Sequence, residues 1–318
     1  MNSAPTTLLE AVRYFADEDV ALAFLVNLRW PDGKQTCPAC ASKDEQYFLA
    51  SRRVWKCRAC KKQFSIKVGT IFEDSPIKLS KWLPAMWMLA NCKNGISSYE
   101  LGRAIGVTQK SAWFMLHRIR LAMQAKSFDK LDGEVELDET YIGGKARFMH
   151  KAKRERVIQG KTGGAGKTAV MGILKRGDGV KPSQVRAQVL KGNSGKVIKP
   201  IVRENVEEGS NLYTDSHGAY RGLGEHYTHE TVDHAVEYVV GNVHTNGLEN
   251  FWVLLKRALK GTYVSVEPFH LFRYLDEQTF RFNERKDTDR GRFLRAVSSI
   301  VGKRLNYSDL TGATLCRT

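Results

Sequence analysis

Apolar positions recur along this chain with two different periods, and the points where the period changes mark its segments. Leu8, Leu9, Val12, Phe15, Val20, Leu22 and Leu25 are set among acids and predict one or two short helices ending before Pro31. From Lys81 the texture is helical again, in KWLPAMWMLANCK, SSYELGRAIGV and TQKSAWFMLHRIRLAM. The last two segments, divided by Gly106 and Val107 with Thr108 as a cap, read as a helix-turn-helix or as a packed helical hairpin. In the second helix Ala112, Leu116, Ile119 and Met123 form the inward stripe. That leaves Gln109, Lys110, Ser111, His117, Arg118 and Arg120 for an outer, DNA-facing side.

At Asp132 and Gly133 the period drops to two, and EVELDETYIGG puts Val135 and Leu137 on one strand face and Glu136 and Asp138 on the other. TAVMGILKR and QVRAQVL follow as its antiparallel partners through the Gly177 to Gly179 turn. KVIKPIVRENV is a helix with a proline interruption, SNLYTDSHGAY a strand ending at Asp215, and HYTHETVDH a short strand or turn. His226, His229 and His234 in that last segment are read as surface or structural residues rather than metal ligands. HTNGLENFWVLLKRALKGTY then carries Leu248, Phe251, Leu255 and Leu259 at three- and four-residue steps, the signature of an amphipathic helix. A second long helix, EPFHLFRYLDEQTFRFNER, has Phe269, Phe272, Leu275 and Phe280 apolar, with Arg273, Arg281 and Arg285 outward. The segment from Arg290 to Arg304 is basic and either packs as a terminal helix or extends a nucleic-acid surface.

Composition adds a partner to this outline. With 50 basic and 34 acidic residues among 318, the formal charge is +16, which points to a polyanion, nucleic acid first. No apolar run approaches the roughly 18 residues of a spanning helix. The start, MNSAPTTLLEAV, lacks the basic and apolar regions of a signal peptide, so a cytoplasmic address is expected. In that reducing compartment the pairs Cys37/Cys40 and Cys57/Cys60 read as a four-thiolate structural zinc site, closed to catalysis. Arg52, Arg53, Lys56, Arg58, Lys61, Lys62 and Lys67 make this ribbon basic, while Cys92 and Cys316 receive no role. The stretch from Lys145 to Lys167, with Lys151, Lys153 and Arg154, reads as a flexible basic loop along a phosphate backbone. KTGGAGKT within it is not a phosphate-binding P-loop, because Lys161 stands where the motif needs glycine.

Two acidic features stand out against this basic background. Acids crowd between Glu134 and Glu139 at a strand, where a carboxylate can hold a hard cation or simply face water. Glu249 is the lone acid on a helix whose Lys256, Arg257 and Lys260 are basic, so it is either a metal ligand beside phosphate-binding cations or part of a solvated face. Taken together, acids on the first strand, the fourth strand and a later helix form the ribonuclease-H-like arrangement.

VELDETYIGGK, LYTDSHGAY and HTNGLENFWVLLKRALKGTY, with the cysteine ribbon upstream, resemble the DDE transposases of bacterial insertion sequences that carry an amino-terminal zinc ribbon and an ISXO-type catalytic domain. The resemblance runs from about Cys37 to Arg285 and implies a mixed α/β fold. Its domains would be an amino-terminal helical segment (1–30), a zinc ribbon (31–75), a helix-turn-helix-like DNA-binding region (76–128), a ribonuclease-H-like DDE domain (129–288) and a basic tail (289–318). Asp138, Asp215 and Glu249 would hold two Mg²⁺ or Mn²⁺ ions, with Asn246 and Asn250 as substitutes at the third position. Lys256 would contact phosphate near the scissile bond, and Arg257 and Lys260 would extend its grip. The implied reaction is cleavage at the element's ends followed by attack of the freed 3′-OH on target DNA. Implied partners are terminal inverted repeats, target DNA and further copies of the chain on DNA, in the bacterial nucleoid. A ribonuclease-H-like nuclease or resolvase that cuts without joining, and a zinc-ribbon regulator without catalysis, are the alternatives.

Overall fold

The computed structural model describes residues 5–44, 46–124, 129–144, 146–159, 164–232 and 243–312. The chain forms two compact units, Met1–Gln124 with Asp287–Thr318, and Ala125–Lys286. The fold is mixed α/β.

The first unit opens with helices α1 (Leu8–Tyr14) and α2 (Glu18–Arg29). A small antiparallel sheet follows, of β1 (Tyr47–Leu49), β2 (Val54–Lys56) and β3 (Gln63–Phe64), with Trp55 buried between Phe48, Phe64 and Trp30. Helix α3 (Leu79–Asn91) is buried on nearly every side, and its start is capped from a distance: Glu18 accepts from the Leu79 and Ser80 backbone N–H groups at 3.2 and 2.8 Å. Helix α4 (Ser98–Ile105) ends at Gly106 in the left-handed conformation (φ 62°), and α5 (Gln109–Met123) begins at the Thr108 cap. The helix-turn-helix or hairpin outline is therefore present.

The outer face of α5 differs from the expectation. Its first turn is exposed, with Lys110 Nζ 5.0 Å from the centre of the Tyr307 ring, but from Met115 onward the helix is buried all round. Arg118, only 4% exposed, is withdrawn from any DNA-facing set: its guanidinium donates to the carbonyls of Leu305, Ile71 and Glu73 at 3.1, 2.9 and 2.6 Å. Backbone acceptors supply an arginine with the partners that water would otherwise provide, so charge alone did not reveal its burial.

The second unit contains β4 (Glu134–Ile142), α6 (Lys151–Ile158), β5 (Thr168–Lys175), β6 (Gln184–Val189), α7 (Gly195–Asn205), β7 (Asn211–Asp215), β8 (Thr228–Val232), α8 (Asn246–Ala258) and α9 (Leu271–Asn283). Its strands form one mixed sheet in the order β6-β5-β4-β7-β8. β4, β5 and β6 are antiparallel neighbours, whereas β7 runs parallel to β4 and β8 parallel to β7. Period-two alternation on β4 and β5 gives the sheet two apolar faces. Val135, Leu137, Met171 and Ile173 pack with Ile198 and Val202 of α7; Val170 and Leu174 pack with Leu248, Phe251, Trp252 and Leu255 of α8 and with α9.

Two segments of this unit depart from their sequence outline. The basic stretch after β4 is helical over Lys151–Ile158, since KAKRERVI contains good helix formers, with Lys151 and Arg154 exposed. Lys145, the Lys153 side chain and His234 lie outside the described residues. On α9 the buried stripe is Leu271, Tyr274, Leu275 and Phe282, while Phe269 and Phe272 are 49% and 40% exposed. Arg281 points inward and pairs with the fully buried Glu277 one turn earlier.

The chain returns to the first unit as α10 (Asp289–Ser298) and α11 (Tyr307–Thr311). Phe293 of α10 sits against Phe15, Phe24 and Trp87, so the basic end of the chain packs as a terminal helix. Cys316 lies outside the described residues.

Candidate active site

The strand register brings two of the three expected acids together. β4 and β7 run parallel with Glu136 opposite Tyr213, so Asp138, midway along β4, and Asp215, the last residue of β7, each two residues further on, reach the same level on adjacent strands. On its other side Asp138 pairs with Gly172 of β5. A Cβ at Gly172 would fall 2.6 Å from Leu248 and 2.7 Å from the Trp252 ring, so this glycine is what lets α8 lie close over the acid.

Asp138 is held by two donors. Trp252 donates its indole N–H to Oδ2 at 2.8 Å, and the Glu139 backbone N–H donates to Oδ1 at 2.8 Å. Burial pushes its carboxyl up to about 6 against the Trp252 hydrogen bond, and the negative charges of Asp215 and Glu249 push the same way as burial. Asp138 thus feels the charge of both other acids, although Glu249 itself is exposed on α8. Glu139 projects to the opposite sheet face, where burial raises it to about 7. The buried Tyr220 hydroxyl beside it opposes that rise.

Cations border these acids. Lys256, two turns beyond Glu249 on α8, has its pKa lowered by burial, with the Asp138 charge opposing and Lys260 and Lys167 adding to the depression. Glu249, Asn246, Asn250 and Arg257 are exposed on α8, and Lys260 is exposed in the π-helical turn Leu259–Tyr263 that follows it. Three carboxylates bordered by lysines suit a hard divalent cation and a phosphate at one place. The sequence outline placed Lys167 in a basic loop without linking it to the acids, and it missed the Trp252 donor, because nothing in the linear pattern signals either contact.

In the first unit the four cysteines gather with all ligand sulfurs within 4.8 Å; among the described residues no other set of His, Cys, Asp and Glu groups closes so tightly. The two knuckles match each other. Cys37 and Cys57 each accept from the residue four positions on, Ala41 and Lys61, and both of these take positive φ (58° and 61°). The Cys60 backbone N–H, 3.5 Å from Cys57 Sγ, lowers that thiol to about 7, favouring the thiolate a metal needs.

Residues 130–283, which contain the whole acid site, match an ISXO2-like transposase domain. A protein described as belonging to the transposable element ISH50 of Halobacterium salinarum is 30% identical over 261 residues, 78% of this chain and 85% of that relative. The chain belongs to the ISXO2-like transposases. This transposase also matches a transposase zinc-ribbon domain over residues 16–63, which with the four-cysteine cluster supports a structural Zn²⁺ held by Cys37, Cys40, Cys57 and Cys60. A transposase-like protein of Haemophilus influenzae is 32% identical over 87 residues, 27% of this chain and 70% of that relative. No helix among the described residues of this transposase is long and apolar enough to cross a membrane.

Proposed function

We propose that the chain is a DDE-type DNA transposase that cleaves at the ends of its insertion sequence and joins the freed 3′-OH to target DNA. What carries this reading is the placement of Asp138 and Asp215 at one level of adjacent parallel strands, with α8, which bears Glu249, packed over Asp138 through Trp252, within a transposase domain. A meander of three strands extended by two parallel strands, with helices on both faces, supports a ribonuclease-H-like catalytic domain. Its bounds are read as 129–288, with the ribbon and the α4–α5 pair contacting the element ends.

Asp138, Asp215 and Glu249 would hold two divalent ions, Mg²⁺ or Mn²⁺, which when bound supply charge neutralisation at the phosphate and an acidified attacking hydroxyl. The protein's own share is positional. Trp252 fixes the Asp138 carboxylate so that it need not reorganise. Lys256 binds the phosphate beside the scissile bond, with Arg257 and Lys260 continuing that contact along α8 and the turn after it. Lys110, Lys151 and Arg154 are exposed cations that track the backbone elsewhere on the DNA. Joining two ends calls for at least two copies of the chain on DNA, in the nucleoid of the host cell.

The test is incubation of the full-length protein with labelled duplexes carrying the element's ends, plasmid target, and Mg²⁺ or Mn²⁺. Cleaved ends covalently joined to plasmid are expected. Ends that are cut but never joined would indicate a nuclease, and binding without cutting would indicate a regulator.

A further inference from the structure

Glu136 lies two residues before Asp138 on the same face of β4, with 1% of its surface exposed. A carboxylate so far from water is stable only where partners replace its hydration, and these partners converge on the start of α8. Arg176 donates Nε–H to Oε1 at 2.9 Å and a further N–H to His244 Nδ1 at 2.9 Å, which holds that ring beside the carboxylate. Oε2 accepts the backbone N–H of Leu248 at 3.0 Å. Arg176 reaches on to the His244 carbonyl at 2.7 Å, and its guanidinium lies 4.2 Å from the centre of the Tyr213 ring on β7.

Helix α8 has no cap of its own, since Thr245 at its N-cap makes no side-chain bond to the first turn. Glu136 satisfies that turn from a neighbouring strand instead. The approach is close enough to exclude a side chain at position 247, where a Cβ would stand 2.8 Å from Glu136 Oε2 and 3.1 Å from Oε1. A buried Glu–Arg pair is seldom more stabilising than apolar residues of equal size, so fold stability alone is a poor account of it. Orientation is a better one, because slipping the helix start by one residue turns every later side chain by about 100°.

We propose that Glu136, with Arg176 and Gly247, is a positioning set that fixes the start and rotation of α8, so that Glu249, the residue after Leu248, faces Asp138 and Asp215. The inference rests on the metal-binding role of Glu249 given above.

Its test is Mn²⁺ affinity by titration calorimetry on the full-length, zinc-loaded protein, with folding followed separately by thermal melting. Glu136→Ala is expected to weaken Mn²⁺ binding about tenfold, the effect of removing a group that orients a ligand. Glu136→Gln, which keeps an acceptor for Leu248 and is the variant to use if the alanine form fails to fold, should weaken it less. Gly247→Ala should resemble Glu136→Ala, and the double variant should be no worse than the weaker single, because both disturb one contact. Affinities within twofold of wild type in folded variants, or effects that multiply in the double variant, would overturn the proposal. Wild-type protein that binds Mn²⁺ through Asp138 but never cuts DNA would defeat the transposase chemistry and leave the positioning role standing; wild-type protein that binds no Mn²⁺ would defeat both.

Discussion

Replacing Asp138 with asparagine keeps the size of the side chain and an acceptor for Trp252 while removing the charge. Burial, opposed by the Trp252 bond and reinforced by Asp215 and Glu249, raises the carboxyl from 3.8 to about 6 in the protein without divalent metal. Because the folded value lies above the unfolded one, the native state holds its proton more tightly. That contribution to stability is complete below the unfolded pKa and is lost as pH rises through the folded value. At pH 8 the ionised form therefore costs about 3 kcal/mol relative to the protonated one. The amide keeps an acceptor for only one of the Trp252 and Glu139 N–H groups, because its other end is itself a donor, and this offsets about 1.5 kcal/mol. The net gain for Asp138→Asn is about 1.5 kcal/mol at pH 8 and near zero at pH 5. For a unit of this size that is a melting temperature about 3–6 °C higher at pH 8. Scanning calorimetry at both pH values, with zinc retained and no other divalent ion, measures it. Added Mn²⁺ should then raise the wild-type melt at pH 8 and leave the variant nearly unmoved. A variant no more stable than wild type at pH 8, or equally stabilised at both pH values, would refute the reasoning.

Four further outcomes follow from the first unit. Cys57→Ser should lose bound zinc and DNA-end binding while folded molecules keep the Mn²⁺ site, and metal analysis showing undiminished zinc would contradict the ribbon assignment. Arg118→Met leaves the Leu305, Ile71 and Glu73 carbonyls without their donor and should cost about 2–4 kcal/mol in denaturant titration. The salt dependence of DNA binding should not change with Arg118 but should flatten by about one phosphate contact in Lys110→Ala; the reverse pattern would return Arg118 to the DNA face. The Glu18 pKa is raised by burial but lowered more by hydrogen bonds from Ser80 and Leu79 and by Lys67, so the net shift is downward. Its stabilisation of α3 is thus present above the unfolded carboxylate pKa and lost as pH falls through the lower folded one. Glu18→Gln should cost about 1 kcal/mol at pH 7 and nothing once wild-type Glu18 is protonated; a pH-independent loss would contradict the cap.

How much of this was legible in the sequence depended on whether a feature is local. The cysteine knuckles, the period-two strand with Asp138 and the stripe Leu248, Phe251, Leu255 were readable because chain spacing alone sets them. Arg118 and Arg281 were misplaced outward, since a buried arginine is decided by carbonyls or a glutamate that another segment supplies. The α9 stripe was read in part: Leu275 and Phe280 are buried as expected, but aromatic residues such as Phe269 and Phe272 look like core wherever they fall, and Leu271, Tyr274 and Phe282 take their place. Trp252 on Asp138 and Glu136 under α8 are contacts across the sheet-helix interface, for which a single sequence carries no spacing rule.

The most direct measurement of the central claim is strand transfer by wild type, Asp138→Asn, Asp215→Asn and Glu249→Gln, assayed in parallel with end binding in Mg²⁺. The account predicts that all four bind element ends with similar affinity and that only wild type produces joined plasmid. Full strand transfer by any one of the three variants would contradict it.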